Sequence, residues 1–468
     1  MIQSVTKRNE FGPATESPRS RAFKPGLALF ILVLVIAGPV VHHWGEQQGS
    51  RYALTAALWD QRTVSIDDYD FLLVRDRAVV DGVTYSDKAP GQPFLAVPFY
   101  GFYRLAGGES PIDSYDPDAD FGQWWVTFWT AAVPGAILAV LMFRWAREIE
   151  EKMALRATVT TFLGSMLLVY STLLFGHVLA SLFAFGMFLV VRKSNASWWR
   201  LLGAGALGGA AVLVEYPIAV IVGIVTITAF FSHRLKALAV IAGGTPAAIL
   251  LGLYHTVLFG DPFTFTYQWS AFSGVQGEAK AALDSFAGPS LERFIHVLVS
   301  PRGLLIATPI ILIAVIGLIP LWRSGRRVDA AVVAAVTVGM LAIPSSWSNS
   351  YAGGAGPRYF VPALPFLVAP LALAWRRWRL LTLGAAVVSV LTMVLATLTE
   401  PQMATQFEAG LRYWLQLAAQ GDFEPTVYSM GLGSWGWVLY LASIAAAFYS
   451  LSRVAGLKME GGAEEPGR

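Results

Sequence analysis

The sequence contains no cysteine, which excludes disulfides, thiolate nucleophiles and cysteine metal ligands. Charged residues are also scarce, at 14% of the 468 residues against about 25% in an ordinary soluble protein. This shortage excludes a soluble globular protein. The long apolar runs that take its place, of about 18 or more residues, are too long for the alternating strands of an outer-membrane barrel. The composition therefore predicts a helical protein that crosses a membrane many times.

About twelve apolar segments approach the ~20 residues that a helix needs to cross a bilayer. They cover residues 26–41, 122–143, 157–174, 177–192, 199–215, 217–232, 237–259, 303–322, 328–345, 359–375, 380–398 and 433–453. With this count, most of the 34 lysines and arginines fall in the two tails and in alternate short loops. Because cytoplasmic loops carry the excess of basic residues, both termini are predicted to lie on the cytoplasmic side of the cytoplasmic (inner) membrane. The net charge of +3 reflects this orientation and does not indicate nucleic-acid binding.

The predicted fold is an all-α polytopic bundle with a long first outer loop. Its predicted parts are a cytoplasmic tail over 1–24, a transmembrane module over 25–398 with outer loops 42–121, 260–302 and 346–358, an outer loop and last helix over 399–455, and a cytoplasmic tail over 456–468. The apolar stretch 94–105 is too short to span, and counting it as a span would place the basic loop 144–156 outside. We therefore expect it to lie along the outer interface, where its aromatic residues suit the headgroup region.

Charged residues almost completely avoid the centres of the predicted spans. An ion-driven transporter normally places carboxylates or histidines near the midplane, so this distribution argues against that class. Glu215 and His177 each fall between two spans at the outer face. Taken alone, each is as well explained as an ordinary membrane-boundary residue. The ionisable groups therefore gather at one face of the predicted bundle.

The first outer loop is the richest in ionisable side chains, and it includes Asp76, Asp87 and Lys88. A carboxylate can accept a proton from a hydroxyl, and a neighbouring cation can neutralise a phosphate. The alternative is a solvated loop whose charges merely keep it in water. The residues alone leave both interpretations open.

Two other outer segments carry suggestive residues. The glycine-rich stretch 353–356 allows the backbone to approach a ligand closely and delivers Arg358 at the mouth of a helix. Arg358 is equally explained as a side chain that reaches the membrane interface. Segment 260–302 is either a cap over a cleft or a long connection.

Three short motifs, in this order along the chain, resemble those of a known family. They are Ser50-Arg51-Tyr52, Asp87-Lys88-Ala89-Pro90 and Gly356-Pro357-Arg358-Tyr359. The sequence resembles the GT-C superfamily of membrane glycosyltransferases, in particular the branch with bacterial aminoarabinose transferases and protein O-mannosyltransferases. In that branch an Asp-Glu-x-Arg-Tyr stretch opens the first outer loop and a Glu-Lys-Pro-Pro stretch follows later in it.

The resemblance implies roles for the residues in these motifs. Lys88 would contact the phosphate of the donor, and Arg358 would make a second phosphate or sugar contact. Asp87 would contact a metal or the acceptor, and Glu215 is the second candidate metal ligand. The remaining residues predicted for the donor site are Arg51, Tyr85, His177 and Tyr359.

The sequence departs from the family at two places. Gln48-Gly49 stands where the family has Asp-Glu, and His177 stands where the second outer turn usually has Asp. The general base must then be another carboxylate. Asp76, on the same loop as Asp87, is the preferred candidate, and Glu46 is the next.

The function that the resemblance implies is inverting transfer of a sugar from a polyprenyl-phosphate donor to an acceptor hydroxyl at the outer face of the membrane. The predicted partners are the polyprenyl-phosphate lipid and a glycan, lipid or protein acceptor, and the predicted cofactor is a divalent metal ion. The alternatives are a glycan polymerase or ligase with diphosphate donors, a non-enzymatic glycolipid flippase, and a structural membrane protein.

Overall fold

The computed structural model describes residues 18–42, 45–73, 76–116, 120–264, 266, 269, 286–347, 354–402 and 410–456. Over these residues the chain is a bundle of helices with a single small β-hairpin. The α-helices are α1 (Pro18–Ala37), α2 (Glu46–Ala56), α3 (Gly91–Leu105), α4 (Phe121–Thr127), α5 (Val133–Ile149), α6 (Ala154–Leu163), α7 (Met166–Tyr170), α8 (His177–Val191), α9 (Trp198–Val214), α10 (Ala219–His233), α11 (Leu238–Phe259), α12 (Leu291–Val299), α13 (Leu304–Ala307), α14 (Ile310–Ile316), α15 (Leu318–Arg323), α16 (Arg327–Ala342), α17 (Val368–Arg377), α18 (Arg379–Leu398), α19 (Gly410–Gln420), α20 (Val427–Leu432) and α21 (Ser434–Val454).

Several of these helices are apolar enough to cross a membrane, so the chain is a multi-pass membrane protein. Within the described residues, six helical stretches are long and apolar enough to cross a membrane. A bent pair of helices would make seven if it forms one span. Three shorter apolar helices are Lys24–Ala37, His177–Val191 and Trp198–Val214. The count of twelve spans therefore stays a prediction.

The helices in two of the predicted spans are broken. The segment predicted at 157–174 divides into α6 and α7, and the side chain of Ser165 accepts a hydrogen bond from the Leu167 backbone at the start of α7. The segment predicted at 303–322 bends by 97° between α13 and α14. Pro309 causes this second break, since it disfavours helical geometry at Thr308, whose φ is −137°.

Proline also shapes the segment that leads into α17. Residues Arg358–Leu367 form a 3-10 helix, in which Pro362 and Pro365 cannot donate backbone hydrogen bonds. The segment is buried from Phe360 onward, which leaves Arg358 and Tyr359 half-buried at its start. The predicted placement of Arg358 at a helix mouth thus agrees with the structure.

The first outer loop folds into α2, a β-hairpin and α3. The predicted interfacial helix at 94–105 is the greater part of α3. The hairpin pairs β1 (Arg77–Val80) with β2 (Val83–Ser86), and sequence analysis missed it. Its turn is Asp81-Gly82, with φ of 52° and 83°, the positive values that a tight two-residue hairpin turn requires.

The basic loops predicted to share the cytoplasmic side do meet at one end of the bundle. Arg192 pairs with Glu148 at 2.6 Å and with Asp329 at 2.9 Å. Arg376 pairs with Glu150 at 2.9 Å. These contacts join loops from four parts of the chain. We call this end of the bundle, which contains Glu148, Arg192 and Asp329, the basal end. The first outer loop lies at the opposite end.

The last helix packs against the first. Val40 and Thr426 form an isolated antiparallel bridge just before α20. The Tyr440 hydroxyl donates a 2.6 Å hydrogen bond to the backbone carbonyl of Ile36 in α1. Helix α21 and its preceding turn are thereby held to the end of α1 that leads into the first outer loop.

Candidate functional site

A buried lysine held between two buried acids forms the first part of the candidate site. The Lys88 ammonium lies 2.7 Å from an Asp76 carboxylate oxygen and 3.0 Å from Asp87. The three residues are only 4%, 2% and 1% exposed. Charges this deeply buried require partners, because an unpaired ion loses its hydration without compensation. Lys88, Asp76 and Asp87 are therefore part of the packed interior and are not solvated residues of a surface loop.

The β-hairpin explains why these residues meet. Asp76 directly precedes β1, and Asp87 directly follows β2. The register pairs Arg77 with Ser86, so the hairpin brings the two acids to the same open end. The Ser86 hydroxyl lies 2.8 Å from that of Ser50 in α2. Local sequence thus fixes both acids around Lys88, the residue after Asp87.

The loop after the hairpin fits closely against the bundle. The Thr266 hydroxyl donates a 2.8 Å hydrogen bond to the backbone carbonyl of Asp87. A Cβ on Gly91 would lie 2.6 Å from the backbone carbonyl of Leu213, near the end of α9. Glycine therefore permits the start of α3 to approach α9, and this places Lys88 beside the end of that helix.

A second buried ion pair lies at the same end of the bundle. The Arg51 guanidinium donates to Glu215 at 2.5 Å, and Arg51 is 1% exposed. Arg51 comes from α2, and Glu215 directly follows α9. The Nδ1 atom of His177, the first residue of α8, lies 3.8 Å from the same carboxylate oxygen. A Cβ on Gly176 would lie 2.8 Å from that oxygen, so glycine allows the carboxylate to approach.

Aromatic rings connect this pair to Arg358. The Arg358 guanidinium lies over the ring of Tyr359, 5.6 Å from its centre. Tyr359 stacks on Trp347 with ring centres 6.0 Å apart, and it meets the His177 ring edge-on at 6.1 Å. His177 in turn contacts the Tyr170 ring at 5.2 Å. These rings form an apolar wall beside the charged groups.

Arg358 lies within electrostatic range of Lys88. Burial alone would lower the pKa of the Lys88 ammonium, but Asp76 and Asp87 outweigh burial and hold this pKa above its ordinary value of 10.5. The positive charge of Arg358 acts on the same pKa in the lowering direction. Lys88 is therefore charged at neutral pH and lies within electrostatic range of Arg358.

The site combines three cations with three acids from four separate parts of the chain. They are Arg51, Lys88, Arg358, Asp76, Asp87 and Glu215. His177 lies within electrostatic range of both the Arg51–Glu215 pair and Lys88. Such an arrangement can hold an anionic group with its cations and can move a proton with a carboxylate.

The described contacts do not place two of the predicted site residues, Tyr85 and Glu46, in this group. Tyr85 lies in β2, half-buried, where it pairs with Ala78 and packs on a separate apolar cluster of the outer loop. Glu46 begins α2, and its side chain lies outside the described part of the structure. The roles predicted for both stay predictions.

The described residues do not form an evident metal site. No group of three or more histidine, aspartate or glutamate side chains is placed to hold a metal ion among them. Asp87 and Glu215, the predicted metal ligands, each face a cationic side chain instead. The donor set described here therefore does not fit a divalent ion.

Sequence analysis did not identify every residue of the site. Gln48 stands where the family has an acid, and its side-chain carbonyl accepts a 2.8 Å hydrogen bond from the Leu174 backbone. This contact fixes the turn before α8 that carries His177. Tyr170 and Trp347, which line the aromatic wall, were given no role in the site either. Each belongs to a stretch that sequence analysis had marked, but their ring contacts join residues far apart in the chain.

A large apolar cavity of about 800 Å³ lies between α9, α10 and α11. His255 lines it at one end, and the Nε2 atom of this histidine lies 3.1 Å from the hydroxyl of Tyr216. Tyr216 directly follows Glu215, so the cavity approaches the second ion pair. Much of segment 260–302, the predicted cap, lies outside the described residues.

No family model and no curated protein sequence matches the chain. In fold it is similar to ArnT from Cupriavidus metallidurans bound to undecaprenyl phosphate, with a TM-score of 0.50 and 14% identity over 94% of this chain and 75% of that one. The apo state of ArnT from the same organism has a TM-score of 0.47 and 15% identity, over 93% of this chain and 74% of that one. The oligosaccharyltransferase of Archaeoglobus fulgidus in the apo form has a TM-score of 0.44 and 11% identity, over 92% of this chain and 57% of that one. The similarity to ArnT confirms the predicted fold class: the chain is an all-α, multi-pass membrane bundle with the fold of ArnT.

Proposed function

We propose that the chain is an inverting glycosyltransferase that moves a sugar from a polyprenyl-phosphate donor to an acceptor hydroxyl at the outer face of the cytoplasmic membrane. The observation that carries this proposal is the buried Lys88, held by Asp76 and Asp87 at one end of a bundle with the GT-C fold. The similar ArnT structure holds undecaprenyl phosphate, which supports a lipid phosphate as the ligand.

The donor phosphate binds to the cations of the site. Lys88 and Arg358 are assigned to the phosphate oxygens, because Arg358 lies on the aromatic wall that leads through Tyr359 and His177 to the buried ion pairs. Arg51 lies on the second ion pair, where Glu215 fixes its guanidinium. In a buried site, positive groups that are already oriented stabilise developing negative charge more than the same groups do in water.

Asp76 is the proposed general base. As the acceptor oxygen attacks the anomeric carbon, its proton moves to the Asp76 carboxylate, and a new carbon–oxygen bond forms. The bond between the anomeric carbon and the phosphate oxygen breaks, and its electron pair stays on the departing polyprenyl phosphate. Asp76 becomes neutral as the phosphate gains a negative charge. Lys88 thereby loses one anionic partner at the same time as the phosphate becomes a stronger one.

Asp87 is proposed to position Lys88 during the reaction. Asp87 keeps Lys88 oriented after Asp76 is protonated, because it lies 3.0 Å from the same ammonium. Glu46 is the alternative base that the sequence predicts. No step is assigned to a metal ion, since the described acids face cations and no third ligand joins them.

A donor assay with purified full-length protein in lipid nanodiscs tests the proposal. Undecaprenyl-phosphate sugars are supplied with a membrane extract as the source of acceptors, and release of undecaprenyl phosphate is followed by mass spectrometry. Parallel reactions with undecaprenyl-diphosphate sugars separate this activity from that of a polymerase or ligase. We expect turnover with monophosphate donors only.

Variants identify the base. Asp76→Asn should lower turnover by roughly 10²- to 10⁴-fold, the range expected for loss of a general base. Asp81→Asn, at the exposed turn of the same hairpin, is the matched control and should keep full activity. Full activity of Asp76→Asn in folded protein would remove Asp76 from the mechanism. No turnover with any monophosphate donor would count against the proposed function itself.

A further inference from the structure

A second cleft lies at the basal end of the bundle, away from the candidate site. It has a volume of about 360 Å³ and is lined by residues of α6, α17, α18 and α21. Two arginines, Arg156 and Arg379, contribute to its lining. Arg156 stands near the start of α6 and Arg379 begins α18, and both helices run from there toward the other end of the bundle. We refer to this space as the arginine cleft.

The two arginines of the cleft have no carboxylate partner among the residues that the structure describes. Arg156 makes one contact, at 3.8 Å, to the sulfur of Met153. Two other arginines of the basal end differ in this respect, because Arg147 pairs with Glu151 at 2.7 Å and Arg376 pairs with Glu150 at 2.9 Å. The cleft therefore presents two positive charges that are not neutralised by this part of the chain.

The rest of the cleft is apolar. Leu383 and Phe448 line it and are 48% and 39% exposed in the bundle, so they present hydrocarbon surface to whatever lies alongside. Trp375 is buried, and its indole nitrogen donates a 3.2 Å hydrogen bond to Thr160, which also lines the cleft. Positive charge next to an apolar wall between membrane helices matches a lipid with an anionic headgroup.

We propose that the arginine cleft binds an anionic phospholipid of the leaflet opposite the candidate site. Arg156 and Arg379 hold the lipid phosphate, and an acyl chain lies along Leu383 and Phe448. The uncompensated charge favours an anionic headgroup over a zwitterionic one, and the apolar wall favours a lipid over a soluble anion. This inference does not depend on the proposed glycosyl transfer.

Thermal unfolding and native mass spectrometry of the full-length protein in detergent test this inference. The probes are dioleoylphosphatidylglycerol, dioleoylphosphatidylcholine and inorganic phosphate. Phosphatidylglycerol should raise the Tm and stay bound, and the other two should not. The double variant Arg156→Gln, Arg379→Gln should bind phosphatidylglycerol roughly 10- to 30-fold more weakly.

Matched controls make the outcome specific. Arg144→Gln, Arg200→Gln removes two exposed arginines that do not line the cleft, and it should bind phosphatidylglycerol as the native protein does. Arg379→Gln alone serves if the double variant fails to fold, because Arg379 is exposed.

Three results would overturn the proposal. The first is equal phosphatidylglycerol binding by the cleft variant and the control variant. The second is an equal rise in Tm with inorganic phosphate, which would identify a soluble anion site. The third is severalfold tighter phosphatidylglycerol binding when Glu460, Glu464 and Glu465 are replaced by Gln, which would identify the acidic C-terminal tail as the native occupant.

Discussion

Lys88 is the residue on which the candidate site is built. Its ammonium is removed from water, and two carboxylates compensate for that loss. A substrate phosphate can replace one of these contacts without leaving the lysine unpaired. Loss of the Lys88 ammonium would therefore be expected to weaken both donor binding and catalysis.

We predict that Lys88→Gln lowers donor turnover by about 10²- to 10³-fold, the effect typical of removing one preorganised group from a developing negative charge. Lys193→Gln is the matched control, because Lys193 is an exposed lysine paired with Glu148 at the basal end. The measurement is release of undecaprenyl phosphate by folded protein. Equal turnover by the two variants would contradict the role of Lys88.

The raised pKa of Lys88 predicts how its ion pairs respond to pH. A raised pKa means that the contribution of these pairs to stability is fully present below about 10.5 and is lost only as the pH rises through the higher folded value. The difference in unfolding free energy between the native protein and Lys88→Gln should therefore stay constant from about pH 7 to about pH 9. Thermal unfolding across this range measures it, and a difference that shrinks near pH 8 would argue against a fully charged Lys88.

At the scale of elements, the β-hairpin is the part that sequence analysis missed and that matters most for the site. Apolar length revealed the helices, because each span must present a continuous hydrophobic surface. The hairpin has four-residue strands, and its signal is the dipeptide Asp81-Gly82 within a charged loop. Once the hairpin is known, the meeting of Asp76 with Asp87 follows from its register.

Substitution of the hairpin turn tests this dependence. Gly82 has φ of 83° and nothing within 4 Å of the position of a Cβ, so Gly82→Val adds backbone strain without a clash. We expect a loss of stability of about 1–2 kcal/mol and a lower turnover, because the acids shift with the strands. Gly203→Ala, in open space on α9, is the control and should be close to neutral. Chemical denaturation measures the difference, and unchanged stability of Gly82→Val would show that the turn is not strained.

The contacts between distant segments set the limit of what sequence could predict. A motif singled out Arg51, and a position between two predicted spans singled out Glu215, with a separate predicted role for each. The structure instead pairs the two, which are 164 positions apart. Pattern and periodicity describe neighbours along a helix or strand, and they carry no information on which loop ends face each other across the bundle.

At the scale of the whole molecule, the basal end holds the helices together with ion pairs. Arg192 joins Glu148 to Asp329, and its side chain is only 7% exposed. Removal of this shared partner leaves Asp329, 11% exposed at its side chain, without its closest cation. The network therefore links three segments of the bundle through one residue.

We expect Arg192→Gln to cost about 2–4 kcal/mol of stability, because it leaves a largely buried carboxylate with only a more distant cation, Arg326 at 3.9 Å. Lys193→Gln should cost less than about 1 kcal/mol, since both members of the Lys193–Glu148 pair are largely exposed. Thermal unfolding of the two variants in the same detergent gives the comparison. A loss for Lys193→Gln equal to that for Arg192→Gln would show that burial does not set the strength of this network.

The contact between the last helix and the first has a consequence for biosynthesis. Tyr440 and Ile36 are 404 positions apart, so α1 leaves the ribosome long before its hydrogen-bonding partner exists. The bridge between Val40 and Thr426 also forms only near the end of translation. Helix α1 also packs on α5, which is made early, but the face that contacts α21 must stay covered by lipid or by an insertion factor until α21 arrives. Nascent chains stalled before residue 426 would contain every residue of the candidate site but would lack both contacts that join α21 and its preceding turn to α1.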